Sequence, residues 1–281
     1  AITVQNVNEA PVISATASAS VFENSTVAYT PVAATDPDAG TTLSYSLSGA
    51  DAALFNINTS TGVVTFITAP NFESPSDVGA NNVYNINVVA SDGALTATQA
   101  VAITVQNVNE APSGTDATVT ILEDGSKTFA ASDFGFSDAA GESNTLTGVR
   151  ITTLPGAGSL TLTGSGAVTA GQVISAADIA LGKLIYTPVA NANGASYASF
   201  TFQVQDTGGT ANGGVDLDPT ANTITINVTA VNDAPSGTDA TVTILEDGSK
   251  IFAASDFGFS DTLDSNSLTG VKITTLPGAG S

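Results

Sequence analysis

The residues in this chain able to do chemistry are almost all carboxylates, and they sit in turns. Across residues 12–111 the turn and linker acids are Glu23 (VFENS), Asp36 and Asp38 (DPDAG), Glu73 (NFESP), Asp92 (SDG) and Glu110 (NVNEAP). The amide oxygens of Asn6, Asn8, Asn107 and Asn109 stand in the flanking linkers, with Glu9 beside the first pair. Two carboxylates two residues apart in one turn, as at Asp36 and Asp38, repel each other unless a proton or a cation intervenes. Basic partners are scarce. There are 26 acids against five bases (Lys127, Arg150, Lys183, Lys250 and Lys272), the net charge is −21, and the first 126 residues hold no base. The clustered acids must therefore be solvated, protonated or bound to a cation. With Cys and His absent the donors are all oxygen, which suits Ca²⁺, an ion that takes about 6–8 oxygens at roughly 2.3–2.6 Å.

The same composition excludes other classes. Without Cys, His, Met or Trp there is no disulfide, zinc site or His-based triad. Paired carboxylates also serve glycoside hydrolysis, but a sugar cleft is normally lined by aromatics, and the chain has no Trp and 5 Tyr. The reading is therefore not an enzyme; opposed carboxylates in a tyrosine-lined pocket would revive that alternative. Nucleic acid and anionic membrane surfaces need clustered Lys and Arg, so neither is an expected partner. No run of 18 apolar residues occurs, so no membrane insertion is expected in this segment, and no signal peptide opens the chain. The stretch GAGSLTLTGSG at 156–166 lacks the lysine and following helix of a phosphate loop.

The elements that position these acids are repeated. AITVQNVNEAP at 1–11 recurs at 102–112, and residues 112–138 return at 235–261 with Thr128 replaced by Ile251. The linker V-N-(D/E)-A-P ends at Pro11, Pro112 and Pro235. The expected organisation is the last strand and linker of one repeat at 1–11, a domain at 12–111, a second at 112–234, and the first part of a third at 235–281. Period-two stretches such as STVAYTPV, TTLSYSL, TGVVTFI, NVYNINVVA and AVAITVQNV read as strands, and DPDAG, STG and SDG supply the turns. The second domain reads alike, through TVTILED, TLTGVRITTL, GSLTLTG, GKLIYTPV, SFTFQVQD and TITINVTAV, with one short helical turn expected at Ser175–Asp178. About seven short strands per hundred residues gives an all-β class: tandem immunoglobulin-like β-sandwiches with Greek-key connections. The third stretch lacks most of its strands and is expected to be unstable unless its open edge is covered.

Successive turns of an antiparallel sandwich alternate between its two poles. Glu23, Glu73, Asn107, Asn109 and Glu110 are thus expected at one pole of the first domain. Asp36, Asp38 and Asp92 are expected at the other, beside Asn6, Asn8 and Glu9. At the junction after the first domain, Asp138 and Asp206 would face the first set. At the next junction Glu123, Asp124, Asn232, Asp233 and Asp261 are the available ligands, and the segment NANGAS at 191–196 offers no carboxylate where Glu73 sits in the first domain. Asp216 and Asp218 are further candidates in the second domain. Asp51, Asp77, Asp116, Asp178 and Asp239 read as solvated turn residues.

These residues resemble the cadherin repeats and their bacterial cadherin-like relatives. Phe22-Glu23-Asn24 is similar to the family's xEx motif, Asp36-Pro37-Asp38 with Gly40 to DxDxG, Asn71-Phe72-Glu73 to DRE, Ala90-Ser91-Asp92-Gly93 to A-x-D-G, and Asn107 to Pro112 to DxNDxP. Leu122-Glu123-Asp124-Gly125, Phe136-Ser137-Asp138, Tyr186-Thr187-Pro188 and Val204-Gln205-Asp206 resemble the looser repeats of large secreted bacterial adhesins, some exported by type I systems. Asn107 stands where the family has Asp, and Ala230 stands there in the next linker. The resemblance implies a linear array outside the cell, stiffened by Ca²⁺ at its junctions and acting as a spacer in an adhesin. The neighbouring repeats are the expected partners. The alternative is homotypic lateral assembly of the same repeats into a fibre, sheath or surface layer.

Overall fold

The computed structural model describes residues 2–3, 5–14, 17–30 and 34–278. By its packing the chain divides into two compact units, one of residues 1–114, 135–149 and 203–221, the other of residues 115–134, 150–202 and 222–281.

Among the described residues, seven strands build the sandwich of the first unit: β1 (Ser18–Phe22), β2 (Val27–Tyr29), β3 (Ser44–Ser48), β4 (Phe55–Ile57), β5 (Val64–Phe66), β6 (Val83–Ser91) and β7 (Thr96–Gln106). They form two sheets in the orders β1-β7-β6-β3 and β2-β5-β4. Every second residue of β6, namely Tyr84, Ile86, Val88 and Ala90, is buried, and Val101, Ile103 and Val105 of β7 answer them. Such alternation gives each strand one apolar face, and each fully buried side chain of this size stabilises by about 1.5–3 kcal/mol. Phe55, Phe66 and Tyr84 lock the centre, with Phe66 and Tyr84 edge to face at 5.2 Å. Four of the five tyrosines, Tyr29, Tyr45, Tyr84 and Tyr186, are buried in the cores. The first strand runs parallel to β7, from Ser18 opposite Ala102 to Phe22 opposite Gln106. That register delivers Glu23 to the end of β7, where its N–H donates to the Gln106 carbonyl.

Two of the acids expected in solvent are buried. Asp51 accepts from the Val78 and Asn85 backbone N–H groups at 2.8 and 2.6 Å, and Asp77 accepts from those of Asn81 and Asn82. Each carboxylate organises a loop whose backbone donors have no sheet partner. The expected strand at STVAYTPV is cut to Val27–Tyr29, and its end at 31–32 lies outside the described residues.

The second domain carries β8 (Ala117–Leu122), β9 (Lys127–Thr128), β10 (Gly148–Ile151), β11 (Ser159–Leu162), β12 (Gly166–Ala167), β13 (Val173–Ser175), β14 (Leu184–Thr187), β15 (Gly194–Gln205) and β16 (Asn222–Thr229). Its sheets run β13-β10-β15-β16-β8 and β12-β11-β14-β9. The short helix α1 (Ala176–Ala180) is capped by Ser175, whose side chain accepts from the Asp178 N–H. In the second unit Phe134 lies edge to face with Phe202 at 4.9 Å and Phe129 with Phe200 at 5.5 Å.

The terminal stretches depart from the expected strands. Residues 2–3 and 5–11 are in no strand, and residues 235–278 contain only the 3₁₀ turn Ala254–Phe257 and an isolated bridge between Ser236 and Ser260. The AITVQ stretch is a strand at 102–106 because β1 and β6 flank it. At the chain start no described strand does.

Candidate metal centres

At the far end of β7, Glu23 is the fixed point. Its side chain is buried, and its two oxygens accept from the Phe72 and Val108 backbone N–H groups at 2.7 and 2.8 Å. Those two bonds tie the loop before β6 and the linker after β7 to one carboxylate. Glu73 and Glu110 follow directly in these segments, and carboxylate oxygens of Glu23, Glu73 and Glu110 lie within 4.8 Å of one another. Oε2 of Glu73 and Oε2 of Glu110 are buried without any hydrogen-bond partner. Burial first, then the charges of Glu23, Glu73 and Glu142, push the Glu110 carboxyl up to about 7, against the pull of Asn24 Nδ2. Burial also raises Glu73, assisted by Glu23 and Glu142.

The loops 135–149 and 203–221 belong to the same compact unit and complete the surroundings. Asn107 Nδ2 donates to Glu142 at 3.2 Å, and the Glu110 N–H donates to the other Glu142 oxygen at 3.3 Å. Asn109 Nδ2 donates to Asp206 at 3.3 Å and to the Val215 carbonyl at 2.7 Å, while its Oδ1 accepts from Asn144. Asp138 Oδ1 accepts from the Ala139 N–H, and its Oδ2 is buried without a partner. Glu142 is the acid that sequence reasoning missed. Asp218 accepts from the Gly114 N–H and, within its own loop, from Thr220, and Asp216 accepts from Gln205.

The opposite pole of the first sandwich gathers the other expected set. Asn6 Nδ2 and the Glu9 N–H donate to Asp38, and Asn8 Nδ2 donates to Asp92 at 2.7 Å. Asp36 accepts from the Asp38 N–H through Oδ1, and its Oδ2 is buried with no partner. The Glu9 N–H, then Asn6, hold the Asp38 carboxyl below its ordinary value; the Leu95 and Ala94 N–H groups, then Asn8, do the same for Asp92. Glu9 is raised by loss of solvent and by Asp38.

The second unit repeats the first arrangement. Glu123 is buried, accepting from the Val231 N–H at 2.6 Å and from Asn193 Nδ2 at 2.9 Å. Its carboxylate lies within 4.8 Å of those of Asp233 and Asp264. The Asp233 N–H donates to Asp264, and Asn266 Nδ2 donates to Asn232 Oδ1 at 2.7 Å. Asp124 and Asp261, expected as ligands, stand close enough to help raise the Asp233 carboxyl, after burial; the Asn193 amide and the Val231 N–H lower Glu123. Asp264 was missed as Glu142 was. The signal was present: Glu142-Ser143-Asn144 and Asp264-Ser265-Asn266 follow the identical FSD at 136–138 and 259–261, and in each an acid accepts from the linker backbone while an asparagine meets the linker asparagine.

Among the described residues the ion pairs are Lys127–Asp133, Lys183–Asp178 and Lys250–Asp256, and none involves a cluster member.

Comparison with known proteins agrees with this fold. A family model described as a cadherin domain matches residues 17–106, and one described as a bacterial Ig domain matches residues 109–229. No curated protein sequence matches the chain. Mouse cadherin-23 EC22-24 superposes with a TM-score of 0.50 at 17% identity, covering 83% of this chain and 71% of that one. Human protocadherin-24 EC1-2 gives 0.48 at 15% identity, covering 80% and 100%. The chain is thus built of cadherin-like and immunoglobulin-like β-sandwich repeats in tandem.

Proposed function

We propose that this chain is a non-catalytic spacer segment of a large extracellular repeat protein, an adhesin, whose junctions are stiffened by Ca²⁺. The observation that carries the reading is the convergence of Glu23, Glu73 and Glu110 with two buried, unpartnered carboxylate oxygens and no base beside them. Three carboxylates held this close without a counter-charge repel one another. The donor set fits a hard cation: carboxylate and amide oxygens, no nitrogen ring and no sulfur. A bound Ca²⁺ supplies divalent positive charge and room for about 6–8 oxygen ligands.

The chain's own residues do the rest. Glu23 would hold the cation while keeping the Phe72 and Val108 backbones in place, and Glu73, Glu110, Asp138, Glu142 and Asp206 would converge from separate loops. Because these acids come from segments on either side of the linker 107–112, their repulsion favours a loose linker and their shared cation a fixed one. Stability would then rise by mass action with ion concentration. The pole with Asp36, Asp38 and Asp92, and the cluster of Glu123, Asp233 and Asp264, would act alike, with Asn6, Asn8, Glu9, Asp124, Asn232 and Asp261 around them. No helix among the described residues is long and apolar enough to cross a membrane.

The test is small-angle scattering and thermal melting of the chain during Ca²⁺ titration, with Mg²⁺ as control. Elongation and a raised melting midpoint specific to Ca²⁺ support the reading. No change in either quantity sinks it and makes lateral packing of the repeats the leading alternative.

A further inference from the structure

Gly141 sits against Glu73. Its φ is +108°, and a Cβ placed on it would lie 2.9 Å from both Cβ and Cγ of Glu73, closer than carbon atoms pack. Gly208 bears the same relation to Asn109, because any side chain there would overlap the Asn109 carboxamide. Two glycines thus let the loops 138–144 and 206–208 seat around Glu73 and Asn109. The copy of the first loop differs at this point. Asp138-Ala139-Ala140-Gly141-Glu142-Ser143-Asn144 becomes Asp261-Thr262-Leu263-Asp264-Ser265-Asn266, one residue shorter and without the glycine. In that unit the Glu123 carboxylate meets the Asn193 amide directly, where Glu23 has the backbone N–H of Phe72, the residue before Glu73. Where the protruding glutamate is absent, the glycine is absent too.

We infer that the poles are matched surfaces: the Glu73-bearing pole accepts a following repeat whose loop reads Asp-x-x-Gly-Glu-Ser-Asn, and Gly141 is the residue that sets this specificity. The shorter Thr-Leu loop fits a pole that offers an asparagine instead. This rests on packing of Glu73 against Gly141, and it needs the cation reading only for its effect on affinity.

The experiment compares Gly141→Ala with Gly164→Ala in the full chain. Gly164 has a similar positive φ, +88°, with nothing within 4 Å of a built Cβ, so it carries the backbone strain of the substitution without the neighbour. In chelator, Gly141→Ala should melt about 3 °C or more below Gly164→Ala. Adding Glu73→Gly, which removes both atoms the methyl would strike, should erase that excess. Ca²⁺ affinity at this centre should fall about tenfold in Gly141→Ala, and as much when Ala139-Ala140-Gly141 is replaced by Thr-Leu, but stay level in Gly164→Ala. Equal melting of the two alanine variants, or an excess that persists with Glu73→Gly, overturns the inference. So does unchanged Ca²⁺ affinity in the loop replacement. A parent chain that binds no Ca²⁺ overturns the cation reading instead, and the melting comparison still decides this one.

Discussion

Glu23 and Glu123 hold equivalent places at the ends of their sandwiches, each buried and each accepting from a linker valine N–H, yet their second partners differ in kind. Glu23 takes the backbone N–H of Phe72, leaving the neighbouring Glu73 free to point a third charge into the cluster. Glu123 takes the side-chain amide of Asn193. The electrostatics follow: around Glu23 burial and mutual repulsion push Glu110 to about 7, whereas the Asn193 amide and Val231 N–H lower Glu123. Both centres store repulsion, since Asp233 is raised as well, by burial and then by Asp124, Asp264, Glu123 and Asp261, but only the second sets an amide donor against its fixed glutamate. Cation demand should therefore be stronger at the first centre than at the second.

The largest difference is expected when each buried glutamate is removed in turn. Glu23→Ala leaves the Phe72 and Val108 N–H groups without acceptors, at about 1–3 kcal/mol each when buried, so a loss of roughly 2–5 kcal/mol is expected in chelator melts, with Ca²⁺ binding lost at that centre. Glu123→Ala strands only the Val231 N–H, because the exposed Asn193 amide turns to water. Its loss should be about half as large. Equal losses would show that the two glutamates are not built differently. Next in size is the exchange of Glu73→Asn and Asn193→Glu. Calorimetric titration should show Ca²⁺ affinity falling at the first centre and rising at the second, each about 10–100-fold, while chelator melts move the opposite way. Affinities that ignore the exchange would remove Glu73 from the ligand set.

A second comparison shows what the sequence could and could not disclose. Residues 112–138 and 235–261 differ at one position, and their local features agree. Both place a 3₁₀ turn at ASDF, a Lys–Asp pair six residues apart, a Ser–Ser bridge, and two phenylalanine rings at 5.8 Å. Their long-range structure does not agree. Ala117–Leu122 pairs in parallel with β16, and Phe129 is 1% exposed. In the second copy residues 240–245 form no strand, and Phe252 is 57% exposed. Turn chemistry and short-range pairs are written in a few residues, but a strand exists only where another strand supplies its hydrogen bonds. The same logic explains the sites. Strand counting put the turn acids at the correct ends because alternation of poles is a property of the chain path. Glu142 and Asp264 escaped because their loops differ in length, which puts the shared acid-Ser-Asn triplet out of register with the otherwise identical stretches before it. Asp51 and Asp77 escaped because burial of a loop acid depends on which backbone N–H groups are left over.

The pH response separates the centres by a smaller margin. Folding raises Glu110 from an ordinary 4.5 to about 7, so the folded state holds this proton more tightly than the unfolded one. Without cation, that contribution is complete below about pH 4.5 and is lost as pH rises through 7. With cation the proton must first leave, so Ca²⁺ affinity at the first centre should fall by about tenfold per pH unit below 7. Glu110→Gln should flatten both trends. At the second centre Asp233 is raised by burial and then by Asp124, but Glu123 is lowered, first by the Asn193 amide, so Ca²⁺ affinity there should depend less steeply on pH than at the first centre. A slope there matching the first centre would contradict the role given to Asn193.

The smallest expected effect tests whether the few bases matter to either centre. Lys183 and Asp178 pair at 2.7 Å with both side chains about one-third exposed, so Lys183→Ala should cost less than about 1 kcal/mol. The pair also fastens the turn after α1, through Lys183 and Asp178 backbone groups as well as side chains, which keeps even that loss local. If distant lysines offset the acid clusters through the general field, the same variant would tighten Ca²⁺ binding. At physiological salt charges are screened over about 8 Å, and the three ion pairs already consume Lys127, Lys183 and Lys250. Affinity in Lys183→Ala should therefore match the parent at both centres. A tighter variant would mean that the difference between the centres reflects net charge around them, and not the exchange of Glu73 for Asn193.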